Sequence, residues 1–138
     1  MKDIIQHTIA HLKEKVTALH YVNIDYGQLD FYAQGTPPVR FPCALIDLPQ
    51  INYTNQARGA QIGEAVLSVS LSNHQLGELQ NAKAETLLLD IIEATHLALN
   101  GYRPAENTSA LIRQATRRNR RDDGITEYVL TYTFAIHP

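Results

Sequence analysis

Two histidines near the start of the chain, His7 and His11, have the spacing that could bind a metal ion. They lie four residues apart, so a helix would place both on one face. The sequence supplies neither the glutamate of an HExxH motif nor a recognisable third ligand. We interpret both histidines as part of a solvated helix face, and we predict no metal and no other cofactor.

Three further residues could in principle take part in catalysis. Asp25 and Asp30 flank Gly27 and could form a carboxylate pair, but without a partner motif we interpret them as turn formers. Cys43 lies in a short apolar run, where a thiol acts as a small hydrophobic group rather than as a nucleophile. The chain has no GxSxG, Walker or GxGxxG motif, so we predict that it is not an enzyme and has no small-molecule substrate.

The strongest charge pattern is a cluster of five arginines within nine positions, followed directly by two aspartates. The cluster comprises Arg113, Arg117, Arg118, Arg120 and Arg121, and the aspartates are Asp122 and Asp123. One interpretation is a solvated hairpin tip whose opposite charges partly neutralise each other. The other is a contact surface that pairs with carboxylates of another subunit or with phosphates. The adjacent aspartates and the missing aromatic platforms weaken a phosphate role, so a nucleic-acid-binding module using Arg113 to Arg121 is the alternative hypothesis.

Length and composition limit the class of protein. The 138 residues fit one domain, residues 1–138, with a real core. Twelve basic and fourteen acidic residues give a net charge of -2, without the basic surplus of a dedicated nucleic-acid binder. The longest apolar run, residues 87–92, is far shorter than the ~20 residues that span a bilayer. We therefore expect no membrane partner, no specific nucleic-acid recognition and a cytoplasmic location.

Hydrophobic periodicity predicts two helices. In the first, the apolar stripe recurs in steps of three and four, and Asp3 with Gln6 could form a capping box. That stripe is Ile5, Ile9, Leu12, Val16 and Leu19. The second helix runs from Asn81 to Asn100, and Asn100-Gly101 is a typical helix stop. Its apolar face is Ala84, Leu88, Ile91, Ile92, Thr95 and Leu99.

Alternating patterns predict the strands. We expect a short strand around residues 22–26, a buried strand at residues 43–46 limited by Pro42 and Pro49, and a strand at residues 66–72 that pairs antiparallel with it. Two more strands, residues 109–118 and 125–137, are joined by a turn containing Asp123-Gly124. The predicted fold is α+β, with a mostly antiparallel four- to five-stranded sheet and two helices packed on one face, leaving small polar residues on the other face.

The polar stretch at about residues 50–63 predicts either a long loop or an extended hairpin arm. Such segments are usually functional or become ordered on binding. Together with open sheet edges, the arm favours a subunit that assembles with copies of itself.

The order of elements and several short segments resemble the tail terminator and tail-completion proteins of long-tailed bacteriophages and their prophage relatives. The matching features are the N-terminal helix, the polar arm, and four segments that run Phe41-Pro42-Cys43-Ala44-Leu45-Ile46, Val66-Leu67-Ser68-Val69-Ser70-Leu71, Leu97-Ala98-Leu99-Asn100-Gly101-Tyr102 and Tyr128-Val129-Leu130-Thr131-Tyr132-Thr133-Phe134. The resemblance covers almost the whole chain, but residues 21–39 match no general pattern of that family. A related tail, neck or baseplate role therefore stays open.

The resemblance implies a structural protein that forms a ring, commonly a hexamer, at the end of the tail tube. Its partners would be copies of itself and tail-tube or head–tail connector proteins, and it would end in the virion tail. No cofactor and no catalytic residue are implied. The residues placed at subunit contacts by the resemblance are Tyr53, Asn55, Arg58 and Gln61 in the arm, and Arg117, Arg118, Arg120, Arg121, Asp122 and Asp123 in the hairpin.

Overall fold

The computed structural model describes residues 1–30, 37–74 and 78–138, and it places two helices and five strands in them. The helices are α1 (Lys2–Lys15) and α2 (Glu78–Leu99). The strands are β1 (Tyr21–Ile24), β2 (Cys43–Asn55), β3 (Gln61–His74), β4 (Ile112–Asn119) and β5 (Ile125–Ile136). Part of the unmatched segment, residues 31–36, lies outside the described residues.

All five strands form one sheet in the order β1-β2-β3-β5-β4. β1 pairs with β2 in parallel, whereas the other three pairings are antiparallel. β4 and β1 are therefore the two edges of the sheet. This architecture confirms the predicted α+β fold with a five-stranded, mostly antiparallel sheet.

The main core lies between one face of the sheet and both helices. Alternate residues of β3 and β5, such as Leu67 and Leu130, are fully buried there against Leu12 of α1 and Leu88 of α2. Removing one such leucine side chain from water contributes roughly 2 kcal/mol. The prediction that both helices cover the same face is confirmed, as are the apolar face of α2 and the aromatic face of β5 centred on Tyr132.

Two details of α1 differ from the prediction. The capping box does not form: Met1 is the N-cap, no side chain caps the helix, and Asp3 already lies in its first turn. The buried positions are Ile4, Thr8 and Leu12, while Ile5 and other predicted positions are only partly buried. Thr8 tolerates full burial because its hydroxyl donates a hydrogen bond to the carbonyl of Ile4 at 2.7 Å.

Pro49 does not end the second strand, so the predicted limit of that strand is wrong. β2 continues through Pro49 to Asn55, and its register with β3 shifts between Asp47 and Gln50. β1 ends opposite Ile46, so the next residues of β2 have no ladder partner on that side among the described residues. A bulge at an open edge is where a strand accepts a residue without an N–H.

The second face of the sheet is partly covered, which corrects the expectation of an open face. A smaller apolar cluster of Leu29, Cys43, Leu45 and Ile125 lies there, and the serines at 70 and 72 are buried beside it. Leu29 belongs to the segment that follows β1. This segment therefore covers one end of that face, whereas Ser68 and Thr131 farther along the same face are only half-buried.

Candidate functional site

The polar stretch is an extended hairpin arm, the second of the two predicted alternatives. The end of β2 pairs residue by residue with the start of β3, out to Asn55 opposite Gln61. Residues 52–59 are all exposed. The outer edge of β2 beyond Ile46 has no strand beside it within the described residues, so its backbone groups are open to a partner.

The tip of the arm is a tight turn built around Arg58 and Gly59. Both have positive φ, 66° and 75°, as hairpins with primed turns require. Arg58 is the one non-glycine residue with positive φ in the described chain. An arginine at such a position costs about 1 kcal/mol relative to glycine, so its side chain is kept at the expense of local stability.

The other arm residues named in the sequence analysis contact one another. Gln61 donates a hydrogen bond from its amide to Asn55 at 2.8 Å, across the two strands. Tyr53 lies opposite Gly63, and a Cβ at Gly63 would sit 3.3 Å from the Tyr53 ring. These contacts stiffen the arm, which presents half of the Tyr53 side chain to solvent.

The arginine cluster lies on β4 and on the turn to β5, where every residue from Ile112 to Arg120 is exposed. Arg118 turns toward the helices: it pairs with Glu85 of α2 at 2.8 Å and its guanidinium lies 5.7 Å from the centre of the Tyr128 ring. In the part of the chain that the structure describes, Arg117 and Arg120 have no ion pair. Two of the hairpin arginines are therefore open to a partner.

Arg121 is held inside the molecule instead. Its side chain is only 11% exposed and contacts three carboxylates: Asp30 at 2.7 Å, Asp123 at 2.7 Å and Glu127 at 3.3 Å. Its guanidinium also donates to the carbonyl of Leu29 at 3.2 Å. Arg121 therefore fastens the segment after β1 to the β4–β5 hairpin.

Glu127 anchors this network from within the sheet. Its side chain is 8% exposed, and it accepts hydrogen bonds from Ser70 of β3 and from Asn119 of β4. A carboxylate buried to this extent needs such donors together with a cation. The hydroxyl, the amide and the guanidinium supply them.

The residues considered for catalysis have structural contacts. His7 bonds the carbonyl of Pro104 at 2.6 Å, and His11 bonds that of Ala98 at 2.8 Å while its ring stacks on Tyr102. Both histidines thus attach α1 to the end of α2 and the residues after it. The prediction of a purely solvated face is wrong for His11, which is half-buried.

Asp25 is a turn former, as predicted, because its carboxylate accepts a hydrogen bond from the N–H of Gly27 at 2.9 Å. Asp30 serves the ion-pair network instead. Cys43 is fully buried, and burial raises the pKa of its thiol to about 12, so it is inert at neutral pH.

Across residues 1–30, 37–74 and 78–138, no group of three histidine, cysteine, aspartate or glutamate side chains is arranged so that it could hold a metal ion. Neither helix in the same ranges is long and apolar enough to cross a membrane.

Comparison with known proteins decides the family. The family model described as phage tail terminator protein matches residues 3–137, nearly the entire chain. The chain belongs to the phage tail terminator family. A solved structure titled as the virion of a native gene transfer agent particle contains a chain with the same fold: its TM-score is 0.56 at 10% sequence identity, over 98% of this chain and 92% of that one. No curated protein matches the chain.

Membership of the tail terminator family gives the protein a structural role in the phage tail. The family resemblance read from the sequence is confirmed. The ion-pair network around Arg121 was not predicted from the sequence, because Arg121 and Asp30 are 91 positions apart. The strain at Arg58 was not predicted either, although the dipeptide Arg58-Gly59 at the middle of a polar arm is a recognisable turn signal.

Proposed function

We propose that this tail terminator protein is the repeating subunit of a closed ring, a hexamer, at the end of the tail tube, where it joins the tail to the head. Its partners are copies of itself and the tail-tube or connector proteins. It assembles in the cytoplasm as a single domain, carries no catalytic site and then stays in the virion tail.

The observation that supports a ring is the position of two open edges on one sheet. β4 is exposed along its whole length at one end. The outer edge of the β2 arm is open at the other end. Surfaces that differ and lie on opposite sides of a subunit generate head-to-tail contacts, which close into a ring when the rotation between copies allows it.

Charge favours this head-to-tail contact over a two-fold dimer through β4. A two-fold pairing of β4 with itself would bring arginines 113, 117 and 118 of both copies close together, which is destabilising. The arm between residues 50 and 62 carries a single charge, Arg58. The arm can therefore approach β4 of a neighbour without opposing a row of like charges.

The contact residues follow from this arrangement. In the arm they are Tyr53, Asn55, Arg58 and Gln61; in the hairpin they are Arg117, Arg118, Arg120 and Asp122. Arg121 and Asp123, which the sequence also suggested for this contact, are each only 11% exposed and belong to the internal ion-pair network. Arg117 and Arg120 contribute most, because they lack ion pairs in the described chain. Arg118 and Arg121 already have carboxylate partners, which also weakens the alternative of a nucleic-acid surface built from the full cluster.

Sedimentation velocity of the purified protein tests the proposal, over a wide concentration range and with and without tail tubes. We expect a monomer that converts to one discrete ring species, at high concentration or on adding tubes. A protein that stays monomeric in both conditions contradicts the proposal. The Arg117→Ala, Arg120→Ala double variant should shift the conversion to higher concentration, whereas Lys2→Ala, which removes an exposed cation that is not among the proposed contact residues, should leave it unchanged.

A further inference from the structure

Helix α2 carries an exposed apolar stripe that the core does not use. Leu89, Glu93 and Leu97 follow one another at intervals of four residues, so they lie along one line of the helix surface. Leu89 is 47% exposed and Leu97 is 82% exposed. Leu97 lies in the last turn of α2, and a leucine exposed to this extent gains nothing for the isolated subunit, so its exposure points to a partner.

A groove lined by both polar and apolar side chains lies beside α1. It has a volume of about 490 Å3 and runs between α1 and β1. Its lining includes the apolar side chains of Ile9, Leu19 and Val22, with Lys13 beside them. A leucine side chain in this groove would exchange water for apolar contacts.

The two helices lie side by side on the sheet, with α1 over β1 and β2 and α2 over β3. The ion pair between Arg118 and Glu85 joins the first half of α2 to the β4 edge of the sheet. The groove adjoins β1, which is the other edge. A head-to-tail row of subunits therefore brings the α2 side of one copy toward the α1 side of the next.

Charge complements the two surfaces. Glu93 and its exposed neighbour Asp90 give the stripe a negative charge, and Lys13 gives the groove a positive one. None of these three side chains has an ion pair within the described residues. Opposite charges at the rim of an apolar contact set its orientation and suppress wrong pairings.

We propose that the α2 stripe of one copy docks into the α1–β1 groove of the next copy, with Leu97 in the groove and Glu93 paired with Lys13. This inference rests on the proposed ring and adds a helix-layer contact to the contact between sheet edges. The occupant of the groove is a second copy of this chain, and the contact is the same at every interface of the ring.

A charge-reversal cycle tests the pairing. Glu93→Lys and Lys13→Glu should each weaken ring formation about tenfold in a sedimentation assay, because each places like charges at the interface. The double variant should recover most of the wild-type association. If the losses of association in the two single variants simply add up in the double variant, the proposed pairing is wrong. Because both side chains are exposed, the fold should survive, which circular dichroism and the urea midpoint check.

Disulfide trapping tests the contact itself. With Thr17→Cys in the groove and Leu97→Cys on the stripe, a mild oxidant should link the chains into a ladder that ends at the ring size. Either single variant can form dimers at most, and the buried Cys43 does not take part. A double variant that forms rings yet gives no species beyond a dimer overturns this contact and leaves the ring intact. A protein that forms no ring and no ladder, with or without tail tubes, contradicts both proposals.

Discussion

Arg58 is unfavourable for the fold at its position, and we propose that its side chain contributes to assembly. It holds a left-handed conformation at the arm tip that glycine would adopt without strain. Arg58→Gly should raise the free energy of unfolding by about 0.5–1 kcal/mol, measured by urea denaturation, while weakening self-association. Arg58→Ala is the matched control, since it removes the side chain but keeps the strain. An Arg58→Gly variant that assembles as well as the wild type would show that the side chain has no role in contact.

Arg121 is the opposite case, a charged residue retained for the fold. Arg121→Ala would leave Glu127, which is 8% exposed, without its cation. We expect a loss of about 3 kcal/mol in the free energy of unfolding, because a buried carboxylate is then uncompensated. Arg120→Ala, one position away and exposed, should change stability by less than about 0.5 kcal/mol. Equal losses in the two variants would mean that the network does not stabilise the fold.

The burial of Cys43 makes the free energy of unfolding depend on pH in the alkaline range. Burial raises the pKa of its thiol from 9.0 to about 12, so the folded state disfavours the thiolate. The resulting stabilisation is complete below pH 9 and is lost as the pH rises from 9 toward 12, because only the unfolded chain then releases the proton. Urea denaturation from pH 8 to 11 should therefore show a decline that is shallower in Cys43→Ala. Tyr132, whose pKa burial also raises to about 12, contributes a further decline to both proteins above pH 10.

Reactivity of Cys43 gives an independent check of the same burial. Iodoacetamide at pH 8 should label the thiol only in denaturant. Rapid labelling of the native protein would contradict the burial on which the pH prediction depends.

At the scale of elements, the sequence predicts strands well where alternation is unbroken. Val66 to Ser72 and Tyr128 to Ile136 alternate cleanly, and both lie inside the observed β3 and β5. The limit of β2 was not predictable from Pro49 alone, because the cost of a proline depends on whether its edge is paired. β1 ends opposite Ile46, three residues before Pro49. This depends on the tertiary structure and cannot be read from the local sequence around Pro49.

The candidate site, too, could be predicted only in part from the local sequence. The arm and the arginine hairpin stand out as local polar and charged segments. Which arginine faces solvent and which is held by carboxylates depends on the segment after β1, which folds back from far along the chain. The local sequence pattern therefore indicates where the surfaces lie. Only the fold shows that Arg117 faces solvent while Arg121 is held by carboxylates.

The arm itself should be dispensable for folding and necessary for assembly. Replacing residues 54–62 with an Asn-Gly turn keeps the pair between Tyr53 and Gly63 and removes only half-buried or exposed residues. We expect a urea midpoint close to that of the wild type and no ring in sedimentation experiments. A shortened protein that still forms rings would place the subunit contact elsewhere.

At the scale of the whole molecule, the sheet has two different edges that lack a neighbouring strand in the described chain. One is the basic strand β4, joined to α2 by the ion pair between Arg118 and Glu85, and the other is the outer edge of the polar arm in β2. In the isolated subunit both strand edges lack backbone partners, and Leu97 lies exposed on α2. In the ring that we propose, identical copies would supply the missing partners for both edges and a groove for the leucine.

Electron microscopy of tail tubes incubated with the purified protein tests this central claim most directly. The account predicts a closed ring with six-fold symmetry at one end of each tube, with β4 of every copy against the arm of the next. Tubes whose ends stay bare, or that carry the protein as single copies without contact between neighbours, would contradict it.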